Sequence, residues 1–192
     1  MSAFIVLIAA ALSRFFALHA HSWNFTALGG GLLFFGSRMR SSLGTASHQK
    51  ARIAARLATA LALLIATDYC LTVYAYQYPF HPAAYLVTWL WYAAVCLIGM
   101  GLLNKASVLR CAAATLASAT SFFLLSNFAV WAGGGMYPHT LAGLGASLVA
   151  GLPFYRNDLA STALTLGALF GLPALARRVA HTMHSAQPDH LA

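Results

Sequence analysis

Six apolar runs joined by short polar links dominate this sequence, at about residues 3–18, 25–37, 53–73, 83–103, 108–131 and 159–176. A helix needs about 20 residues to cross the hydrocarbon core of a bilayer, and five of the runs are near or within that length. Inside a bilayer the backbone must satisfy its own hydrogen bonds, which leaves helices or a closed barrel, and continuous apolar runs select helices. Charged residues make up 7% of the 192-residue chain, against roughly 25% in an average soluble domain. So few charges could not cover a soluble surface. They also exclude disorder and a disulfide-rich secreted module. The expected fold is all-α: a polytopic membrane protein of six transmembrane helices, with one domain over residues 1–178 and a cytoplasmic tail over 179–192.

Two stretches break the pattern. Run two is short and carries Gly29, Gly30 and Gly31, which fits a re-entrant segment or a short span anchored by Trp23. Residues 140–154 are apolar but contain Gly143, Gly145, Gly151 and Pro153. If that stretch crossed separately, Arg177 and Arg178 would change sides, so it is expected to be a short helix or re-entrant lid on the outer face. The first run lacks a basic n-region and leads into His19 and His21, so no cleavable signal peptide is expected.

Nine of the eleven Lys and Arg residues fall in three links: Arg38, Arg40, Lys50, Arg52 and Arg56; Lys105 and Arg110; Arg177 and Arg178. With six spans, all three links lie on one side. The opposite links (19–24, 74–82 and 132–158) hold only Arg156. This positive-inside pattern predicts a bacterial inner-membrane protein with both termini in the cytoplasm. The formal charge of +8 is thereby used in setting topology, and no basic face is left for nucleic acid.

Chemically versatile residues collect at the opposite, outer end. They are His19, His21, Trp23 and Asn24 after run one; Asp68, Tyr69, Cys70, Tyr74, Tyr76, Tyr78 and His81 around the end of run three; Asn127, Trp131, Tyr137 and His139 around the end of run five; and Arg156, Asn157 and Asp158 before the last run. An aromatic belt accounts for the Tyr and Trp, but not for Asp68, Asn127 and Cys70 within apolar helices. An importer needs such a site open to the outside. An acid inside a span costs about 2.5–3.5 kcal/mol on insertion scales, so Asp68 needs a partner or a purpose. Arg14 lies at similar depth and is the expected partner. A second use of Asp68 is to accept a hydrogen bond from a ligand. Asp158 reads as a favourable charge at the start of a helix.

Cys70, Cys96 and Cys111 form no spaced pair. Cys96 and Cys111 read as buried small hydrophobes. Cys70 alone stands among the outer tyrosines, where a thiolate would suit a thiophilic metal complex. The sequence offers no P-loop, no G-x-S-x-G elbow and no paired carboxylates. No two histidines sit at mid-membrane depth for a bis-histidine haem. An enzyme using Cys70 as nucleophile would have only His21 or His81 as base, with no acid to orient either. The expectation is a transporter, not an enzyme.

Trp23-Asn24-Phe25-Thr26, Asp68, Ser126-Asn127-Phe128-Ala129-Val130-Trp131, Met136-Tyr137-Pro138-His139-Thr140-Leu141-Ala142-Gly143-Leu144 and Gly151-Leu152-Pro153-Phe154-Tyr155-Arg156-Asn157-Asp158 together resemble small membrane proteins like the substrate-binding S components of energy-coupling-factor vitamin transporters. The resemblance covers about residues 1–178, and with Cys70 the chain looks like the BtuM-type vitamin B12 branch. That resemblance implies an S-component-like bundle that imports cobalamin from an outward cavity, with Cys70 as axial ligand to its cobalt and able to displace an upper ligand such as cyanide. Around the corrin it implies contacts from Asn24, Asp68, Tyr69, Tyr74, Asn127, Trp131, Tyr137, Arg156 and Asn157, and no cofactor other than the transported ligand. The alternative is an S-component-like carrier of another small water-soluble nutrient, with Cys70 only structural. S components dock an energy-coupling ATPase module through an A-x-x-x-A face on helix one. Here run one has Ala9-Ala10-Ala11 without that spacing, which occurs instead at Ala51/Ala55 and Ala54/Ala58. Partnership with such a module therefore does not carry over directly.

Overall fold

A computed structural model describes residues 2–20, 24–40 and 46–185. Among these the chain is helical and contains no strand. Helices α1 (Ala3–His19) and α2 (Leu28–Ser37) are followed by α3 (Ala46–Cys70), which widens into a π-turn at Leu71–Ala75. Then come α4 (Pro82–Leu102), α5 (Val108–Gly133) and α6 (Leu141–Leu166), and α6 continues through a second π-turn, Gly167–Gly171, into α7 (Leu172–Ser185). Taking α6 and α7 as one rod gives six helices. Four continuous stretches are long and apolar enough to cross a membrane: Ala46–Ala75, Pro82–Leu102, Val108–Gly133 and Leu141–Met183. Ile5, Phe16, Leu90, Leu109, Val149 and Leu164 point outward and exposed, which suits a surface facing lipid rather than water.

The helix starts follow from local chemistry. Ser107 caps α5 by accepting from the Arg110 amide at 3.3 Å, and Thr140 caps α6 by accepting from the Gly143 amide at 3.1 Å. Pro82 opens α4, where its missing N–H costs nothing. The α3 helix already begins at Ala46, inside the polar link expected at 41–49, and α7 carries helix to Ser185, into the expected tail. The rest of that tail, 186–192, and residues 41–45 lie outside the described residues.

Run two becomes the centre of the bundle. All residues of α2 from Leu28 to Gly36 are buried, against α1, α4, α5 and α6. Ten residues of helix rise about 15 Å, half of a hydrocarbon core, so α2 is a short rod sheathed by protein. Its glycines permit the sheath: Gly31 meets Ala10 of α1, Gly30 meets Thr165 of α6, and Gly36 lies against the Cys96 carbonyl of α4. Gly99 of α4 in turn lies against the Leu33 carbonyl.

The outer lid expected at 140–154 is not there. Helix α6 runs unbroken through it, with Pro153 on its exposed face. The glycines that suggested a break serve close packing instead: Gly143 sits on the Pro138 carbonyl and Gly151 on the Asn127 amide. Asp158 consequently lies mid-helix and buried, not at a helix start.

The bundle has two chemically distinct ends. Arg38, Arg56 and Arg177 border a cavity with Ser2 at one end. The Arg56 guanidinium donates to the Arg38 and Met39 carbonyls at 2.7 and 3.5 Å, closing the C-terminus of α2. At the other end stand the tyrosines and Asp68.

Candidate binding chamber

Asp68 is the hub of the aromatic end. Its side chain is fully buried, and Arg14 of α1 pairs with it at 2.6 Å. Trp89 Nε1 and the Tyr92 hydroxyl of α4 donate to its two oxygens at 2.9 and 3.2 Å. The expected Arg14–Asp68 pair is therefore present, and it ties α1, α3 and α4 together. With both carboxylate oxygens engaged, Asp68 is mainly a structural tie, although its side of the network borders a cavity.

Two cavities, of about 220 and 260 Å³, meet beside this hub and share Asn24, Phe122 and Asp158 in their walls. The smaller lies between Arg14, Asp68, Tyr92 and the start of α2, where Gly29 brings bare backbone to the wall. The larger runs between α5 and α6 past Asn127, Tyr137, Ser147 and Tyr155. Its polar groups are partly prearranged. Asn127 donates to the Phe123 carbonyl at 2.7 Å, Ser147 donates to the Asn127 carbonyl at 3.0 Å, and the Thr120 and Tyr155 hydroxyls bond at 3.0 Å.

Asp158 stands where the two cavities meet. Thr162 donates to its Oδ1 at 3.4 Å, while the buried Oδ2 has no hydrogen-bond partner among the described residues. The buried Ser118 hydroxyl, close to the same point across Gly29, likewise has none. Buried polar atoms are nearly always satisfied. Asp158 lines both cavities, and its buried, unpartnered Oδ2 leaves an acceptor for an amide or hydroxyl once a solute displaces the groups that cover it. Sequence reasoning gave Asp158 a different role. The readable signal is the spacing Asp158, Ser161, Thr162 and Thr165, which puts four polar residues on one face of the helix.

The remaining expected site residues divide clearly. Asn24, held at a positive φ of 58°, borders both cavities, and Asn127 and Tyr137 border the larger. Trp131 instead donates to the Pro138 carbonyl at 3.0 Å and stacks edge-on with His139. Arg156 is exposed and Asn157 half-buried; neither lines these two cavities. Tyr69 and Tyr74 are exposed members of an aromatic row that continues through Phe80, Tyr85 and Trp89. Cys70 is a free, half-buried thiol on the turn after Asp68, directly before the π-turn. It borders neither cavity. His21 and Trp23 lie outside the described residues. No group of three His, Cys, Asp or Glu among the described residues is arranged to hold a metal ion by itself. A site for a metal complex would have to take its remaining ligands from the complex.

A protein-family model with the description "Family of unknown function (DUF6580)" matches residues 1–185, nearly the whole chain. No curated protein and no solved structure matches it.

Proposed function

The chain belongs to the DUF6580 family, and on that premise we propose that it is a membrane-embedded binding and import protein for a small water-soluble nutrient. The observation that carries this reading is the paired cavity at the aromatic end, lined by Asn24, Asn127 and Asp158, whose buried Oδ2 has no hydrogen-bond partner among the described residues. Positive-inside placement of the arginines supports a periplasmic position for that end. Amide, carboxylate and hydroxyl groups set among aromatic walls fix the orientation of a polar solute.

The specific solute we propose is cobalamin, with Cys70 as its axial cobalt ligand. The support is the resemblance of the outer motifs to S-component-like proteins, the cysteine at position 70 that marks the BtuM-type branch, and the half-buried free thiol beside the Tyr69–Tyr74–Phe80 row, a stacking surface for a flat corrin edge. Ligand exchange balances without a redox partner: the thiol loses its proton, sulfur bonds to cobalt, and cyanide leaves with that proton as hydrogen cyanide. A corrinoid is far larger than either cavity, so its binding requires the two to merge and open toward Cys70. Protein purified from cells grown with cobalamin is expected to carry corrinoid colour. Cys70→Ala is expected to remove the spectral signature of sulfur ligation while leaving the fold intact. An identical bound spectrum and affinity in Cys70→Ala would refute the ligand role.

The separation of Cys70 from both cavities favours a second reading, in which a smaller nutrient occupies the chamber and Cys70 only packs. Under either reading Asp158→Asn is expected to weaken solute binding about tenfold or more, since a hydrogen bond to a charged group is worth roughly 1.5–3 kcal/mol. The fold should survive, because the amide keeps the shape and relieves a buried charge. Binding unchanged in Asp158→Asn would remove the chamber from consideration. We propose no ATPase partner from the Ala51/Ala55 and Ala54/Ala58 stripe, since such faces are generic in helix packing.

A further inference from the structure

We propose that the cavity at the arginine-rich end holds one anionic phospholipid, with its phosphate among Arg38, Arg56 and Arg177 and its glycerol and upper acyl chain against Phe34 and Phe170. The cavity measures about 610 Å³, within the span of roughly 300–1,000 Å³ that ligand pockets occupy. Its charge is one-sided. The acids of the described residues, Asp68 and Asp158, both border the cavities at the other end, and no carboxylate lines this one. Three arginines in the lining of one cavity without a carboxylate favour an anionic occupant.

Apart from the arginines and Ser2 the lining is apolar. Phe34 and Phe170 pack with ring centroids 5.4 Å apart, and the Arg38 guanidinium lies over the Phe34 ring at 5.1 Å. That stacking uses a face of the guanidinium and leaves its N–H edge for a phosphate. Ala168 and Leu169 of the second π-turn complete the wall. Free phosphate would be served by the arginines alone. Arginines and aromatic side chains in the lining of one cavity are the pattern an amphiphile needs. Positive-inside placement assigns these arginines to the cytoplasmic leaflet, where basic pockets between helices select anionic headgroups.

The test uses the full chain in phosphatidylcholine nanodiscs, with phosphatidylglycerol added in steps and lipid retention read by native mass spectrometry. One phosphatidylglycerol is expected to be retained in preference to phosphatidylcholine. Arg38→Gln and Arg177→Gln are each expected to cut that preference about fivefold. Both residues are exposed, so neither change threatens the fold. Arg56 is left in place because it also closes α2. Arg178→Gln and Lys105→Gln, basic residues that do not line the cavity, should leave the preference intact. Equal retention of the two lipids would overturn the proposal. So would an equal loss in the Arg178 and Lys105 variants, which would indicate diffuse surface charge. Displacement of the lipid by inorganic phosphate at matched concentration would also overturn it, assigning the site to a soluble anion.

Discussion

Asp68→Ala should be the most damaging single substitution in this chain, costing about 3–5 kcal/mol, the usual result of removing one partner from a buried ion pair. The variant strands the Arg14 guanidinium and also removes the acceptor for Trp89 and Tyr92. Three helices, α1, α3 and α4, lose their common tie at once. The readout is the thermal midpoint and the monodisperse yield after extraction in detergent. A double variant, Arg14→Met with Asp68→Leu, should recover part of the loss, because it removes the isolated charge and leaves only neutral donors unpaired. If Asp68→Ala melts with the parent protein, the network does not hold the helices together.

The second large effect is expected at the crossing of α2 and α4. A methyl group on Gly36 would meet the Cys96 carbonyl, and one on Gly99 would meet the Leu33 carbonyl, both closer than real Cβ atoms come. Backbone cannot step aside as a flexible side chain can, so the rods must separate. Gly36→Ala and Gly99→Ala are each expected to cost at the upper end of the ~1–3 kcal/mol typical of overpacking. Gly101→Ala supplies the control. It lies in the same helix as Gly99 with nothing within 4 Å of the added methyl. There the change should be neutral or stabilising by about 0.5–1 kcal/mol through helix propensity. Thermal midpoints of the three variants decide the matter. Equal behaviour of Gly99→Ala and Gly101→Ala would mean that α2 and α4 do not press together.

The two predictions differ in how far they could be read from sequence. Arg14 and Asp68 are charged residues near the C-terminal ends of the first and third apolar runs, which cross in the same direction, and that matching depth is enough to suggest a pair. The glycine contacts are different. Gly29, Gly30 and Gly31 suggest a weak helix when read alone, and Gly143, Gly145, Gly151 and Pro153 suggest a broken one. In the bundle α2 is the most buried helix and α6 is continuous. A glycine loosens a helix facing water but lets a neighbour's backbone approach when the helix is packed, and only the neighbour decides which applies. Asp158 illustrates the same point: a break over 140–154 would make it a helix start, whereas in the continuous α6 it lies mid-helix and buried.

The aromatic end shows the same division. The collection of Asn24, Asp68, Cys70, Asn127, Tyr137 and Asp158 at one end follows from where each lies along its helix. Which of them share a cavity depends on rotation about the helix axes. Asp68 and Cys70 are two residues apart, and about 200° of helical turn separates a buried tie from a half-buried thiol. Sequence alone determined the helical class, the number of rods and the segregation of arginines from tyrosines, because these depend on the transfer of each segment from water and on its order along the chain. Tertiary structure alone decided that α2 is the core, that α6 passes unbroken, and that Asp158 rather than Cys70 borders the chamber. Those outcomes depend on which face each helix turns to its neighbours, and that is settled by packing between segments distant in sequence.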